Sequence, residues 1–387
     1  MPQHLPDGVE LPELRELVVC SLEAWDDVWR RNQFFTDALL CRSPSLRILF
    51  IEPAADVLFE LTQLRWPQPP RLRAVGNERR LQAFRPFKPL PRRLGSFSDR
   101  WLCRRVIEAA RRLGFTRPTL WLNDVTYAPL TSSMGWPTLY DVTDDWLLAP
   151  FPTRELDRLR RLEDVALSQA EEVVVCSPAL AASRGSRRAV TVVSNGVDIE
   201  HFRQLRPRPD DLPPAPTAVY VGTLHESRLD IDLLTELADA DGQLSVVLVG
   251  PDSLAAAPRH RLSAAPNIHM LGARPYADVP GYLQHADVII VPHLITPFTE
   301  SLDPIKAYEC AVVETPVVAT PVAGFRELSS ELTIAPAEEF VAGVMAALSA
   351  PPRRAASVVP PSWTERAETF EFVLRRAGAA AAPSRPA

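Results

Sequence analysis

The chain has 387 residues, 46% of them hydrophobic and 23% charged, with a formal net charge of −6 at pH 7. This length suffices for two or three domains, and the composition excludes a wholly disordered chain. No apolar stretch approaches the roughly 18–20 residues that span a bilayer, and residues 1–17 lack the basic-then-apolar order of a secretory signal. We therefore expect a cytoplasmic protein. The five scattered cysteines, without a CxxC pair, favour neither a disulfide framework nor structural zinc.

Short apolar runs alternate with segments of helical periodicity in the first half, which is typical of α/β domains with parallel sheets. The predicted strands are Leu14–Ser21, Leu46–Glu52, Thr119–Leu122, Thr138–Val142, Glu172–Cys176 and Val190–Val193. The predicted helices are Asp26–Leu40, Asp99–Leu113, Thr153–Gln169 and Pro178–Ser183. A proline-rich stretch without apolar periodicity, Arg203–Pro216, then predicts a linker.

A second alternating series of similar size follows. Its predicted strands are Ala218–Gly222, Leu244–Gly250, Ile268–Leu271, Val288–Pro292 and Val317–Ala319, and its predicted helices are Asp230–Ala240, Tyr276–His285, Pro304–Val313 and Trp363–Arg376. The predicted division is an amino-terminal Rossmann-like domain (1–205), a linker (206–217), a carboxyl-terminal Rossmann-like domain (218–355), a helix that crosses back (362–377) and a disordered tail (378–387). Two doubly wound domains leave a cleft at the carboxyl ends of their strands, where such folds bind ligands.

The first predicted strand leads into a loop rich in tryptophan and acidic residues, CSLEAWDDVWRRNQFF, and no GxGxxG follows an early strand, which argues against a dinucleotide dehydrogenase. Two interpretations of the loop stand side by side. Asp26 or Asp27 caps the next helix while Trp25 and Trp29 pack. Alternatively, Trp25, Asp26 and Asp27 form an acceptor site, because indole faces and paired carboxylates suit a polyhydroxyl ring.

The segment VTVVSNGVDIEHF, residues 190–202, resembles the segment before the hinge in retaining, GT4-like glycosyltransferases of the GT-B fold. Residues 218–234 are similar to the strand and glycine turn of that family, which implies donor binding by Gly222 and Thr223 and contact between Arg228 and the donor diphosphate. A solvent-facing arginine is the alternative for Arg228. Residues 267–292 resemble the nucleobase-binding strand and loop, and by position the implied residues are Gly272, Arg274 and Tyr276.

The segment SLDPIKAYECAVVETPVVAT, residues 301–320, resembles the E-x7-E helix of the same family. Glu309 matches the second glutamate, which the resemblance assigns to the donor ribose, and Lys306 matches a lysine that meets phosphate. Ser301 stands in place of the first glutamate, next to Glu300, and the resemblance places Ser301 and Asp303 at the donor.

Elementary physics supports a diphosphate site here, because a helix amino terminus offers free amides and partial positive charge, to which Lys306 adds an ammonium. Among the 42 basic residues only Lys88 and Lys306 are lysine, which makes this position unusual. The alternative is structural: Asp303 caps the helix, and Lys306 and Glu309 form a surface ion pair.

The segment GWPTLYDVTDDWLLAP, residues 135–150, is similar to a YDxxDDW segment in a bacterial subgroup of these transferases, including those of cell-surface polysaccharide clusters. The resemblance implies acceptor contacts for Asp144 and Asp145, with helix capping or a hinge salt bridge as the alternative. Apart from His4, every histidine lies at or beyond His201, so an amino-terminal histidine base, common in inverting relatives, is not expected.

Residues 71–117 carry 14 basic residues against three acidic ones, and Arg93–Arg117 interleaves cations with apolar residues at nearly helical spacing. A solvated helix face is one interpretation, and peripheral contact with anionic lipid at the inner membrane surface is another. A polyanionic or lipid-diphosphate acceptor would use the same charge. A nucleic-acid partner is not expected, because the remainder of the chain is acidic.

The resemblance implies a glycosyltransferase that moves a sugar from a nucleotide-diphosphate sugar to a glycan, lipid-linked or small-molecule acceptor with a free hydroxyl. Lys306, Arg228 and Asp144 are the candidate catalytic residues, and no cofactor or metal is expected because the cations can stabilise the leaving diphosphate. Retention is implied. An inverting transferase, a sugar-nucleotide epimerase and a catalytically silent nucleotide-sugar-binding partner remain the alternatives.

Overall fold

Two α/β units follow one another along the chain in a computed structural model, which describes residues 11–56, 71–76, 78–88, 97–214, 216–328, 330, 332–349 and 359–381. Each unit is built on its own parallel sheet, as the alternating pattern predicts. The predicted strands and helices recur within a few residues of their expected bounds, because burial of apolar runs sets both.

The first sheet has eight strands in the order β10-β9-β8-β7-β1-β2-β5-β4. Its strands are β1 (Glu16–Cys20), β2 (Arg47–Ile51), β4 (Leu72–Val75), β5 (Glu78–Phe84), β7 (Thr119–Leu122), β8 (Thr138–Val142), β9 (Glu172–Val175) and β10 (Thr191–Val192). All neighbours are parallel except the edge pair β4 and β5. A separate parallel pair joins β3 (Ala55–Asp56) to β6 (Phe87–Lys88). The sequence did not predict β4 or β5, because arginines interrupt their apolar alternation.

The second sheet has six parallel strands in the order β13-β12-β11-β14-β15-β16. They are β11 (Thr217–Val221), β12 (Ser245–Val249), β13 (Ile268–Gly272), β14 (Val288–Val291), β15 (Val317–Ala319) and β16 (Thr333–Ile334). The order reverses at β11, as it does at β1 in the first sheet. In doubly wound folds ligands bind at the carboxyl ends of strands beside such a reversal.

Twelve α-helices occur in the described part of the chain, and together they cover both faces of both sheets. They are α1 (Arg31–Arg42), α2 (Phe97–Arg112), α3 (Pro129–Met134), α4 (Thr153–Gln169), α5 (Pro178–Gly185), α6 (Ile199–Arg203), α7 (Ile231–Ala240), α8 (Ala256–Ala264), α9 (Val279–Gln284), α10 (Ile305–Val312), α11 (Ala337–Leu348) and α12 (Trp363–Ala380). None of these helices has the length and apolar character needed to cross a membrane.

The last helix, α12, returns to the first unit and packs against α1 and the strands β7, β8 and β9. Its Phe370 ring stacks on Phe35 of α1, with ring centroids 4.5 Å apart. Ser362 and Glu365 form a capping box that begins the helix. The helix ends four residues later than predicted, so residues 378–380, expected in a disordered tail, are helical, and residues 382–387 lie outside the described part.

The arginine-rich helix α2 packs its apolar side inward. Leu102 and Val106 are buried in the core of the first unit, while Arg104, Arg111 and Arg112 are exposed. The exposed face of the helix is therefore largely cationic, and residues 93–96 of the segment singled out in the sequence lie outside the described part.

Candidate functional site

The carboxyl ends of the two sheets face a shared cleft with a volume of about 270 Å³. The first unit contributes residues that follow β1, β7 and β8, and the second contributes residues that follow β11, β12 and β14 together with the start of α10. The sequence-predicted residues that line it are Asp144, Gly222, Thr223, Arg228, Arg274, Tyr276, Asp303, Lys306 and Glu309. The fold therefore brings most of the implied donor residues together.

Main-chain atoms form one side of the cleft, where β11 and β12 end. Gly222 follows β11 and Gly250 follows β12, and the amide of Gly222 donates to the carbonyl of Val249 at 2.8 Å. A Cβ atom on Gly250 would lie 1.9 Å from the Gly222 carbonyl oxygen, so no other residue fits there. The two glycines leave backbone surface open to a ligand.

The amino end of α10 points its first turn at the same cleft. The sequence predicted a start at Pro304, but Pro304 is the N-cap and the helix begins at Ile305. No side chain caps this end. Asp303, proposed as a possible cap, instead accepts hydrogen bonds from Tyr308 Oη, at 2.6 Å, and from the Asn195 amide. Burial raises the pKa of Asp303. The free amides of the first turn thus remain available to an anion.

Lys306 and Glu309 form an ion pair one turn apart on α10, as the structural interpretation expected. The pair is not on the open surface, however. Both residues line the cleft, and Glu309 is buried, with 5% of its surface exposed. An ammonium and a carboxylate at this place can bind phosphate and hydroxyl groups, respectively, once a ligand separates them.

Arg228 joins the two units across the cleft. Its Nη2 lies 3.2 Å from Oδ1 of Asp144, and its guanidinium carbon lies 5.5 Å from the ring centroid of Phe298. Arg228 is therefore not a plain solvent-facing arginine. The candidate catalytic cation of the second unit and the candidate acceptor carboxylate of the first contact each other directly.

Two of the three residues implied for the nucleobase line the cleft. Tyr276 lies among aromatic rings, stacked on His201 with centroids 4.3 Å apart, and burial raises the pKa of its hydroxyl. Arg274 Nε donates to Tyr282 Oη at 2.9 Å, and its guanidinium also pairs with Asp211. Gly272 ends β13 but is not part of the cleft lining.

The residues proposed from the first loop do not reach the cleft. Trp25 packs edge-on against Phe50, with centroids 5.1 Å apart. Asp26 accepts from the amide of Val28 at 2.9 Å, and Asp27 is exposed, with its carbonyl accepting from the Tyr276 amide. The predicted helix start was wrong, because α1 begins at Arg31 and neither aspartate caps it. The acceptor assignment of these residues stays a prediction.

Ser301 and Asp145 are buried in contacts between the units and do not line the cleft. Ser301 Oγ donates to the Phe298 carbonyl at 2.6 Å, and its own carbonyl accepts from Ser177 Oγ at 2.7 Å. Asp145 pairs with Arg184, whose Nη2 lies 2.8 Å from Oδ1. Both residues have structural partners, and their assignments to donor and acceptor stay predictions.

Two titratable residues of the cleft were missed in the sequence. Glu23 follows β1, and burial raises the pKa of its carboxyl to about 7. His293 follows β14, and burial lowers the pKa of its imidazole to about 3. Their positions directly after predicted strands were the available signal. Among the described residues, no three His, Cys, Asp or Glu side chains lie together as a metal site would require.

Part of the sequence is similar to a known protein family. Residues 215–350 match the family model described as glycosyl transferases group 1. The chain is 25% identical over 221 residues to a Bacillus subtilis (strain 168) protein named as a teichuronic acid biosynthesis glycosyltransferase, TuaH. That match covers 53% of this chain and 55% of TuaH, so it spans little more than half of either protein.

Solved structures resemble the chain over nearly its full length. Sucrose-phosphate synthase of Thermosynechococcus elongatus has a TM-score of 0.67 and 17% identity, with 95% of this chain and 98% of that chain covered. HepE of Anabaena, in complex with UDP and glucose, has a TM-score of 0.59 and 16% identity, with the same coverage. The chain therefore has the predicted GT-B fold, and its second unit matches the glycosyl transferases of group 1.

Proposed function

We propose that this chain is a glycosyltransferase that moves a sugar from a nucleotide-diphosphate sugar, held by the second unit, to a hydroxylated acceptor held by the first. One observation carries the proposal: the uncapped start of α10, Lys306 and Arg228 converge on one cleft between the two sheets. Free amides and two cations suit a diphosphate. The match to glycosyl transferases of group 1 and the UDP complex of HepE support the donor class.

In this mechanism Lys306, Arg228 and the amides of α10 stabilise the negative charge that develops on the leaving diphosphate. These groups supply the electrostatic role that a metal ion has elsewhere, so we propose transfer without metal or cofactor. Glu309 binds the donor ribose hydroxyls once phosphate has drawn Lys306 away. Asp144 orients the acceptor hydroxyl at the other wall of the cleft.

Retention of the anomeric configuration is proposed from the resemblance to GT4-like transferases and because the histidine among the described residues that line the cleft is a poor base. His293 lines the cleft, but an imidazole with a pKa of about 3 is a weak base at neutral pH. The leaving phosphate then accepts the acceptor proton. Product configuration determined by NMR distinguishes retention from inversion, and epimer formation without acceptor would identify an epimerase.

The acceptor is proposed to be a glycan, a lipid-linked glycan or a small molecule. The name of TuaH and the similarity of residues 135–150 to the YDxxDDW segment favour polysaccharide assembly. The exposed arginines of α2 would suit peripheral contact with anionic lipid at a membrane surface. Sedimentation with phosphatidylglycerol vesicles, compared with phosphatidylcholine vesicles, tests that contact.

Titration calorimetry with UDP, GDP and dTDP tests the donor site. We expect one nucleotide to bind, Lys306→Ala and Glu309→Gln each to weaken it by about tenfold or more, and Lys306→Ala to abolish transfer, because each removes a charge-assisted contact. Arg261→Ala, which removes an exposed cation paired with Asp232 between helices, is the matched control. Equal affinity in the wild type and both cleft variants would refute the assignment.

A further inference from the structure

A second pocket, with a volume of about 210 Å³, adjoins the cleft on the side of the first unit. The two cavities share Asn123, Thr143 and Asp144 in their linings. The side pocket lies at the carboxyl ends of β7 and β8 and against the first turns of α4. A molecule seated in it would reach Asp144, the carboxylate that contacts Arg228.

The walls of this side pocket are largely apolar and aromatic. Trp146 and Phe151 stack at its rim with ring centroids 6.0 Å apart, and Leu22 and Leu159 face it as well. Phe151 is 39% exposed, so apolar surface stands open at the entrance. Indole Nε1 of Trp146 is buried without a hydrogen-bond partner. Such a wall favours a flat apolar group over a free sugar phosphate.

Every charged residue in the described lining of the side pocket is acidic. Four acidic residues are among those that line it, and its described lining holds no lysine, arginine or histidine. The four are Asp124, Asp141, Asp144 and Glu155, of which Asp141 has its carboxylate fully buried against Arg31. Three of these carboxylates have arginine partners that lie outside the pocket lining. Asp124 has no ion pair among the described residues, and its side chain accepts only from the Thr126 amide, at 2.8 Å. The carboxylate of Asp124 therefore gives the pocket a small excess of negative charge, which disfavours phosphate and carboxylate groups.

Taken with the proposed function, on which this step rests, we propose that the acceptor is a neutral or cationic molecule with a ring-shaped apolar body, which occupies the side pocket and presents a hydroxyl at Asp144. A phosphorylated or polyanionic acceptor is disfavoured by the same surface. A lipid diphosphate or an anionic polymer is the less favoured acceptor, because neither complements a pocket in which the Asp124 carboxylate has no ion pair among the described residues.

Three phenols of matched shape and different charge test the inference: tyramine (cationic), tyrosol (neutral) and 4-hydroxyphenylacetate (anionic). Their binding to the full chain without donor is measured at low salt by saturation-transfer NMR. We expect tyramine to bind at least about fivefold more tightly than 4-hydroxyphenylacetate, with tyrosol between them. Asp124→Asn should reduce that ratio, because it removes the charge that has no ion-pair partner.

Trp146→Leu should weaken all three phenols by a similar factor, and Phe151→Ala provides a second variant at the exposed rim. Trp101→Leu, which removes an indole from α2 outside the side pocket, is the control. Equal or tighter binding of 4-hydroxyphenylacetate, unchanged binding in both rim variants, or no binding of any phenol would overturn the inference. Nucleotide binding measured separately distinguishes the outcomes: if a nucleotide binds and no phenol does, the donor site stands and the side pocket proposal fails.

Discussion

Glu23 is the residue whose charge state should affect stability within the neutral range. Its carboxylate faces Arg30, Arg228, Asp141 and Asp144, and burial raises its pKa to about 7 from the ordinary value of 4.5. The folded protein therefore binds the proton more tightly than the unfolded chain does. The stabilising contribution is complete below about pH 4.5 and is lost as the pH rises through 7.

Glu23→Gln should remove this dependence. Urea titration measures the free energy of unfolding of both proteins. From pH 5 to pH 8, the value for the variant minus the value for the wild type should rise by at most about 3 kcal/mol. His293 contributes a slope of opposite sign, because its pKa is lowered, so the difference between the two proteins is the quantity to measure. A pH-independent difference would contradict the raised pKa.

Among single residues, the sequence predicted those whose residue type is unusual at their position. It missed residues that are unusual only in their surroundings in the folded protein. Lys306 stood out because lysine is rare in this chain, and Glu309 because the family resemblance assigned it to the donor ribose; both line the cleft. Glu23 and His293 are ordinary residues in ordinary loops. Only the folded chain half-buries them beside a cleft, and desolvation depends on neighbours from distant segments.

Helix α1 is attached to the first sheet by a buried ion pair. Arg31 Nε and Nη2 donate to the two carboxylate oxygens of Asp141 at 3.1 and 3.0 Å, and Nη1 donates to Asn195 Oδ1 at 3.0 Å. Trp121 Nε1 also donates to Asp141, at 3.2 Å. This network joins α1, two central strands and the segment that leaves the first unit.

Asp141→Asn should lower the free energy of unfolding by about 3–5 kcal/mol, because it leaves the guanidinium of Arg31 buried without its counter-charge. Chemical denaturation measures the loss. The double variant Arg31→Met with Asp141→Leu is the control and should recover part of it, since no unpaired charge remains. A loss below about 1 kcal/mol for Asp141→Asn would show that the pair is not needed.

The aspartates of the YDxxDDW segment show that a shared sequence motif does not give its residues a shared environment. The segment placed three carboxylates at the end of β8, and they have three different neighbours. Asp141 pairs with Arg31, Asp145 pairs with Arg184, and only Asp144 pairs across the cleft. Side chains alternate along a strand and then diverge in the loop, so equal residues in one motif need not share a role.

The crossing of α12 over the first unit depends on close contact at Gly196. The Val197 amide donates to the Pro361 carbonyl at 3.0 Å, and a Cβ on Gly196 would lie 2.8 Å from main-chain atoms of Ser362 and Trp363. Main chain cannot rotate away as a side chain can. The segment that leaves the first unit and the segment that returns to it are thereby held together.

Gly196→Ala should lower the melting temperature by several degrees and accelerate hydrogen exchange in residues 363–380, because the added methyl group separates the two segments. Gly242→Ala, where a Cβ meets nothing within 4 Å, is the matched control. Wild-type exchange rates in Gly196→Ala would show that this contact does not hold α12 in place.

For the whole molecule, alternating apolar runs and helical periods predicted parallel α/β units, and the resemblance to GT4-like glycosyltransferases implied the GT-B arrangement of those units. It did not predict the antiparallel edge strand β4, the helices α8 and α11, or the extension of α12 to Ala380. β4 and α8 lack a strong apolar pattern of their own, so their conformation depends on packing against neighbours that the local sequence does not reveal. Helix α11 does have an apolar run, with Phe340 and Val344 buried, which the prediction missed.

The contact between Gly222 and Gly250 limits how this protein could be redesigned. Peptide groups rather than side chains line this part of the cavity, so a point substitution cannot change its shape there. A methyl group at position 250 would clash with the Gly222 carbonyl and push two neighbouring strands apart. Altered sugar preference must therefore arise elsewhere around the cavity, at positions such as Arg274 or Thr223. A directed-evolution library that spares both glycines would lose few functional members.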